Sequence, residues 1–389
     1  MQPFTLLIKP SGSDCNIDCR YCFYKGRPAE FGQGTQRMSF ETLAELVKRY
    51  MRLRFPKAGF AWQGGEPTLM GVEFFQRAVW LQKKYGTPGQ EISNTLQTNG
   101  ITLSNKWCRF FHQNKFLLGI SIDGPERFHD RYRVDHSGKG TFAKVMRGIE
   151  NCKKHRVEFN ALVLLNNRNV EHPDELFDFV VTNDLTYLQF IPCIERDPAT
   201  GEPAKFSITP KQYGDFLCRL FDLWCDYGPE KLNIREFDSL TTYFVLGNHT
   251  ICTYSKQCAG FVVVEHNGDL FPCEFFVEPK WRLGNISETP LEELAAGGTK
   301  LAFARQKEDL CEECVSCCFL KICRGGCMKD RTRLGGGQPD RVSYFCESYR
   351  QFFDYALITL MDMSKAVKEG WLSRHTRPVD SVRLEVPDE

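Results

Sequence analysis

The sequence predicts an α/β protein: an open or partial barrel of six β-α units, followed by a smaller cysteine-rich domain. Two observations carry this prediction. From residue 4 to about 235, short apolar runs alternate with segments of helical period, the pattern of repeated β-α units around a parallel sheet. From about Phe237 that alternation ends and cysteines with turn residues take over, as expected where metal replaces an apolar core. The expected divisions are residues 1–235 for the barrel, 236–350 for the cysteine-rich domain and 351–389 for a C-terminal helix with a polar, mobile tail after about Lys368.

In chain order, strands are expected at Phe4–Ile8, Gly59–Trp62, Glu91–Gln97, Leu117–Ile122, Glu158–Leu165 and Tyr187–Ile191. The helix after the first strand starts at Ser39, a good N-cap, and repeats Leu43, Leu46, Val47, Tyr50 and Met51 on one face, a stripe that should pack on the sheet. Residues 195–210 read as a polar Pro/Gly-bearing insertion, and an aromatic-rich helix follows from about Pro210 to Tyr227. Polar or glycine-rich groups follow the strands: the cysteines after the first, Gln63-Gly64-Gly65-Glu66-Pro67 after the second, Gln97-Thr98-Asn99-Gly100 after the third, and Ser121-Ile122-Asp123-Gly124-Pro125 at the fourth. Active sites of β/α barrels form at the carboxyl ends of the strands, so one mouth should collect all of these.

The 389 residues suffice for two domains or for a barrel with an appendage. A net charge of +1 gives no electrostatic reason to expect nucleic acid or an anionic membrane as partner. No apolar run approaches the ~20 residues needed to span a bilayer, and the N-terminal segment lacks the apolar stretch of a signal peptide, so a cytoplasmic location is expected. In a reducing compartment, eighteen cysteines point to metal ligation rather than disulfides. Three lie within residues 15–22 and ten between 252 and 346; Cys108, Cys152, Cys193, Cys218 and Cys225 are scattered and read as small buried hydrophobes. The eight histidines have no ligand-like spacing and receive no role.

The run Cys15-Asn-Ile-Asp-Cys19-Arg-Tyr21-Cys22 is the most informative segment. Thiolates are the soft ligands that iron–sulfur clusters select, and three of them leave the fourth iron of a four-iron cluster open for chemistry. Zinc usually closes with four ligands, so a zinc reading needs a distant fourth. With Gly64-Gly65-Glu66-Pro67 and the six β-α units, the N-terminal part resembles the radical S-adenosylmethionine (SAM) superfamily. The resemblance implies that SAM chelates the open iron and that its reductive cleavage yields a 5′-deoxyadenosyl radical. It also implies SAM contacts at Tyr21, Gly65, Ser121, Arg133 and Ile194. Apart from the family, Ser121 reads as loop structure and Arg133 as a surface ion pair. The glycines would let backbone groups approach a ligand that a Cβ excludes.

The later cysteines resemble a SPASM domain, in the order Cys258, Cys273, Cys314-x2-Cys317-x5-Cys323-x3-Cys327 and Cys346. This implies two auxiliary [4Fe-4S] clusters and three in all: one on Cys252, Cys258, Cys273 and Cys327, the other on Cys314, Cys317, Cys323 and Cys346, with Cys311 and Cys318 surplus. A zinc ribbon is the competing reading of such C-x2-C pairs. Cys22-Phe23-Tyr24, Gln63-Gly-Gly-Glu-Pro-Thr-Leu, Leu96-Gln-Thr-Asn-Gly, Leu188-Gln-Phe-Ile and Trp281-Arg-Leu-Gly-Asn-Ile extend the likeness to anaerobic sulfatase-maturating enzymes. The implied activity is oxidation of a sulfatase cysteine or serine to Cα-formylglycine, with flavodoxin or ferredoxin as low-potential electron donor. The alternatives are a maturase that crosslinks, epimerises or forms a thioether in a precursor peptide, and a non-catalytic cluster protein. One departure stands out: the family's general-base aspartate after the Pro-Cys segment is Glu274 here. Tyr24 is expected either to contact substrate or SAM, or to pack beside the cluster.

Overall fold

The computed structural model describes residues 2–25, 34–197, 199–332, 342–370 and 382–383. Six strands, β1 (Thr5–Lys9), β2 (Lys57–Trp62), β3 (Glu91–Thr98), β4 (Leu117–Ser121), β5 (Phe159–Leu165) and β6 (Tyr187–Pro192), pair in parallel in chain order. A two-residue strand, β7 (Asn233–Ile234), adds to β6. All six expected strands are present.

The helix Phe40–Arg52 opens on Ser39, whose hydroxyl accepts from the Thr42 amide, and its five apolar stripe residues are all buried. The helix Pro210–Tyr227 starts with a reciprocal cap between Thr209 and Gln212. Each strand turns one face to the helices and the other inward. On β3, Ile92, Asn94, Leu96 and Thr98 are buried, whereas Ser93 and Thr95 are half-buried and Gln97 is exposed. A closed β/α barrel fills its interior with branched side chains; on β3 this inner face is polar and only partly buried.

Beyond Phe237, where no strand was expected, β8 (Phe261–Glu265) runs parallel to the free side of β1 and places Glu265 opposite Lys9. Strands β9 (Asp269–Phe271) and β10 (Gly284–Asn285) follow antiparallel, giving the continuous order β10-β9-β8-β1-β2-β3-β4-β5-β6-β7. The cysteine-rich segment therefore extends the barrel sheet. Its strand was hidden because Phe261-Val-Val-Val-Glu265 is a continuous apolar run, as in strands buried on both faces, set among turn-forming residues.

The last long helix, Cys346–Lys368, packs on the helices Pro210–Tyr227 and Arg235–Leu246. Phe352 stacks on Phe237 at 5.4 Å, and the Ser348 hydroxyl donates to the Pro210 carbonyl at 2.6 Å. The polar tail lies outside the described residues except for Glu369, Gly370 and a two-residue strand, Val382–Arg383, antiparallel to β3. In the expected insertion, a bridge pairs Arg196 with Pro203. Of the scattered cysteines, Cys108, Cys152 and Cys193 are buried, but Cys218 and Cys225 only partly so. Among the described residues no helix is long and apolar enough to cross a membrane.

Candidate active site and its cysteine groups

The triplet Cys15, Cys19 and Cys22 lies on the loop after β1 and is half-buried. That loop is clamped from several strands. Asp18 and Arg20 amides donate to the Val134 and Tyr132 carbonyls at 2.6 and 3.0 Å. The Asn99 side chain donates to Asn16 at 2.7 Å and lies 3.6 Å from the Cys15 sulfur. Burial, reinforced by Glu66, pushes the Cys15 thiol up to about 12.

Gly64 and Gly65 approach this loop more closely than any ligand argument required. The Gly65 amide donates to the Gly12 carbonyl and the Glu66 amide to the Asp14 carbonyl, each at 2.8 Å. A Cβ on Gly65 would overlap the Asp14 backbone, and Gly64 has φ +125°. The glycines thus couple the end of β2 to the cysteine loop. Glu66 is wholly buried and accepts four bonds, from the Thr68 amide and hydroxyl, the Thr98 hydroxyl and the Asn99 amide, at 2.6–3.0 Å. Burial raises its pKa, and those donors oppose the shift.

Tyr21 and Arg133 meet in a second buried group. The Tyr21 hydroxyl donates to Asp123 and accepts from Arg133 Nη1 at 2.8 Å. Arg133 is thus no surface ion pair; its side chain is 9% exposed beside a fully buried Asp123. His129, which spacing left without a role, accepts from the Asp123 amide at 3.3 Å. Burial lowers its pKa well below the usual range. Gly65, Ser121 and Ile194 follow or end β2, β4 and β6, on the same edge of the sheet.

Glu274 follows β9 and comes to that edge. Its Oε2 accepts from Lys9 Nζ at 3.3 Å and from Gln63 Nε2 at 3.1 Å. The Lys9 ammonium also sits 4.2 Å from the Tyr24 ring centre, and the Tyr24 hydroxyl donates to buried Glu265. The Lys9 side chain is 2% exposed and that of Glu274 24%, so Glu274 is the member open to a substrate. Lys9 and Glu265 were given no role by sequence, and Gln63 and Asp123 entered only as members of segments expected at the mouth. The available signal was a charged residue ending each of two apolar strands, Leu6-Leu7-Ile8-Lys9 and Val262-Val263-Val264-Glu265.

The later cysteines fall in two neighbourhoods. Cys327 feels the charges of Cys252, Cys273 and Cys258 behind burial and Asp330, and burial pushes Cys273 up to about 12. Around this quartet lie two buried lysines, with Lys300 Nζ donating to the Cys258 and Pro272 carbonyls and Lys307 Nζ to that of Cys252. Burial lowers Lys300 to about 8 against the opposing pull of Cys273 and Cys258. Cys314, Cys317, Cys323 and Cys346 line a cavity with about 500 Å³ of atom-free space, open solvent at its mouth included. Cys311 reaches Cys314 but does not line that cavity, and Cys318 is exposed. Among the described residues no three His, Cys, Asp or Glu side chains converge tightly enough for a single metal ion. Thiolates are the ligands that four-iron clusters take, and the cysteines present fit that group.

Residues 10–180 match the radical SAM superfamily, and residues 252–318 match SPASM, an iron-sulfur cluster-binding domain. Over 373 residues the chain is 38% identical to the cysteine-type anaerobic sulfatase-maturating enzyme of Clostridium perfringens, covering 95% of this chain and 100% of that one. The chain belongs to the anaerobic sulfatase-maturating enzymes. This maturase is also 37% identical over 382 residues to the serine-type enzyme of Bacteroides thetaiotaomicron, covering 94% of this chain and 92% of that one. Its fold matches native anSMEcpe with bound AdoMet at a TM-score of 0.86 and 36% identity, over 93% of this chain and 100% of the other. The same protein with AdoMet and the Cp18Cys peptide gives 0.87, with 94% and 100% covered. SAM and [4Fe-4S] clusters are the maturase's cofactors and a peptide its substrate.

Proposed function

We propose that this enzyme oxidises a cysteine or serine in a sulfatase polypeptide to Cα-formylglycine, with Glu274 as the base. The observation that carries the reading is a partly open carboxylate beside Cys273, held at the barrel mouth by Lys9 and Gln63. In this reading Cys15, Cys19 and Cys22 hold the SAM-binding cluster, and Tyr21, Gly65, Ser121, Arg133 and Ile194 surround SAM. The quartets Cys252/Cys258/Cys273/Cys327 and Cys314/Cys317/Cys323/Cys346 hold the auxiliary clusters. When bound, SAM on its reduced cluster supplies hydrogen abstraction at the substrate Cβ. A low-potential carrier such as flavodoxin or ferredoxin supplies the electron, and a cytoplasmic location fits that supply.

The chain's own groups manage the proton. Lys9 and Gln63 both hold Oε2 of Glu274, which leaves Oε1 as the oxygen to take the substrate's side-chain proton. Their common grip accommodates the methylene that glutamate adds over aspartate. Tyr24 and Glu265 brace Lys9 from below. The test is anaerobic reaction of SAM with paired cysteine and serine peptides, followed by mass spectrometry and fragmentation. Replacement of the target side chain by an aldehyde is the expected result. A crosslinked, thioether or epimerised product instead would assign the enzyme to precursor-peptide maturation.

A further inference from the structure

Two lysines around the Cys252 quartet have no use in the proton chemistry. Lys300, on the helix Gly298–Arg305, is 4% exposed, and Lys307, in the turn just after it, 1%. Lys300 Nζ donates to three carbonyls, those of Phe261 at 2.5 Å, Pro272 at 3.2 Å and Cys258 at 3.4 Å. Three acceptors require three N–H groups, which only the ammonium form has. Lys307 Nζ donates to the carbonyls of Cys252 at 2.7 Å and Thr253 at 2.8 Å. Among the described residues neither lysine pairs with an Asp or Glu. A buried cation without a counter-ion is costly, yet both lysines stand here, each tied to the backbone of a quartet cysteine, and a third buried cation, Arg331, donates to the Lys307 carbonyl at 3.0 Å.

The missing anion has a definite charge. An oxidised four-iron core carries two positive charges and its four thiolates four negative ones, so the assembled site would be doubly anionic; the two ammoniums and Arg331 oppose that charge, while Glu274 and Asp330 add to it. Taking up one electron makes the site triply anionic, a state that two fixed cations at low dielectric favour. The second cage is built differently, with Arg350 and Glu313 both at its lining and opposing one another.

We infer that Lys300 and Lys307 are the built-in counter-charges of the Cys252/Cys258/Cys273/Cys327 site and raise the reduction potential of its cluster. The inference rests on the reading of that quartet as a four-iron site. It makes this cluster the electron sink for the second half of the oxidation. With that cluster in place, the substrate radical would give it one electron and would give its side-chain proton to Glu274, the residue next to Cys273, leaving the substrate with a C=S or C=O double bond.

The test is potentiometry followed by electron paramagnetic resonance on fully loaded enzyme, comparing the parent with Lys300→Met and Lys307→Met. One midpoint should move to lower potential while the others hold. A tenfold loss in the equilibrium constant for reduction reads as about 59 mV for one electron. Lys300→Arg and Lys307→Arg, which keep the charge, should shift it less. Lys256→Met, at a side chain 72% exposed, should not shift it. Unchanged midpoints in both Met variants would overturn the inference. Should the Met variants fail to load this cluster, loading by the Arg variants supports a charge requirement. Failure of both kinds would assign the lysines to packing and overturn the inference. A parent with iron for only two clusters would instead remove the quartet reading itself.

Discussion

Glu274 is held by one strand residue, Lys9, and one loop residue, Gln63, and its replacement separates proton transfer from radical generation. Glu274→Gln keeps the size but cannot take a proton, so oxidised peptide should fall by ~100-fold or more, the scale of general-base catalysis, while 5′-deoxyadenosine still forms. Glu274→Asp should keep measurable product, since a carboxylate remains. Unchanged peptide oxidation in Glu274→Gln, followed by mass spectrometry beside 5′-deoxyadenosine, would reject the base assignment. Lys9→Met removes one of the two donors on Oε2 and should lower the ratio of product to SAM cleaved without abolishing cleavage. The cysteine triplet was legible because its spacing is local, and the later cysteines and Glu274 through the family resemblance. Lys9 was not: its partner Glu274 is 265 positions away, and the two meet only because β8 and β9 come to the open side of β1.

At the scale of elements, the barrel strands and the helix Pro210–Tyr227 could be read directly, because alternation and helical period are properties of short windows. The β8 strand could not. Its apolar run has no alternation to reveal it, and its pairing depends on an edge more than 250 residues earlier. The Gly64-Gly65 turn was recognised, but its tightest neighbour is the protein's own cysteine loop. Gly65→Ala should therefore displace that loop. A shift of about 1 Å can cost ~100-fold in rate, so SAM cleavage should collapse while the later cysteine groups keep their iron. Iron analysis beside a cleavage assay checks both halves. Normal cleavage would mean that the loop yields without moving the triplet.

For the molecule as a whole, the three cysteine groups predict three clusters, about twelve irons per chain. Replacing Cys15, Cys19 and Cys22 together by alanine should lower this to about eight and end SAM cleavage, since the other groups are built from separate segments. Normal cleavage by that variant would overturn the assignment of the open iron. Stability should carry a signature of Asp238, whose pKa burial raises to about 7. The folded chain then binds a proton that the unfolded chain has released, so this group's contribution falls as pH rises from about 4 to about 7. Asp238→Asn should raise the melting temperature more at pH 8 than at pH 5.5; an equal gain at both would show that water reaches the carboxylate in the folded state. The shared sheet has a last consequence. Because β8 is hydrogen-bonded along β1, the loop carrying the first three cysteines and the segments carrying Cys258 and Cys273 hang from one rigid frame. Whatever gap an electron must tunnel between those places is set once, at folding. A gap set by paired strands should not follow solvent motions, so the electron-transfer rate is expected to be insensitive to solvent viscosity, with slow turnover to be sought in the arrival and departure of the peptide.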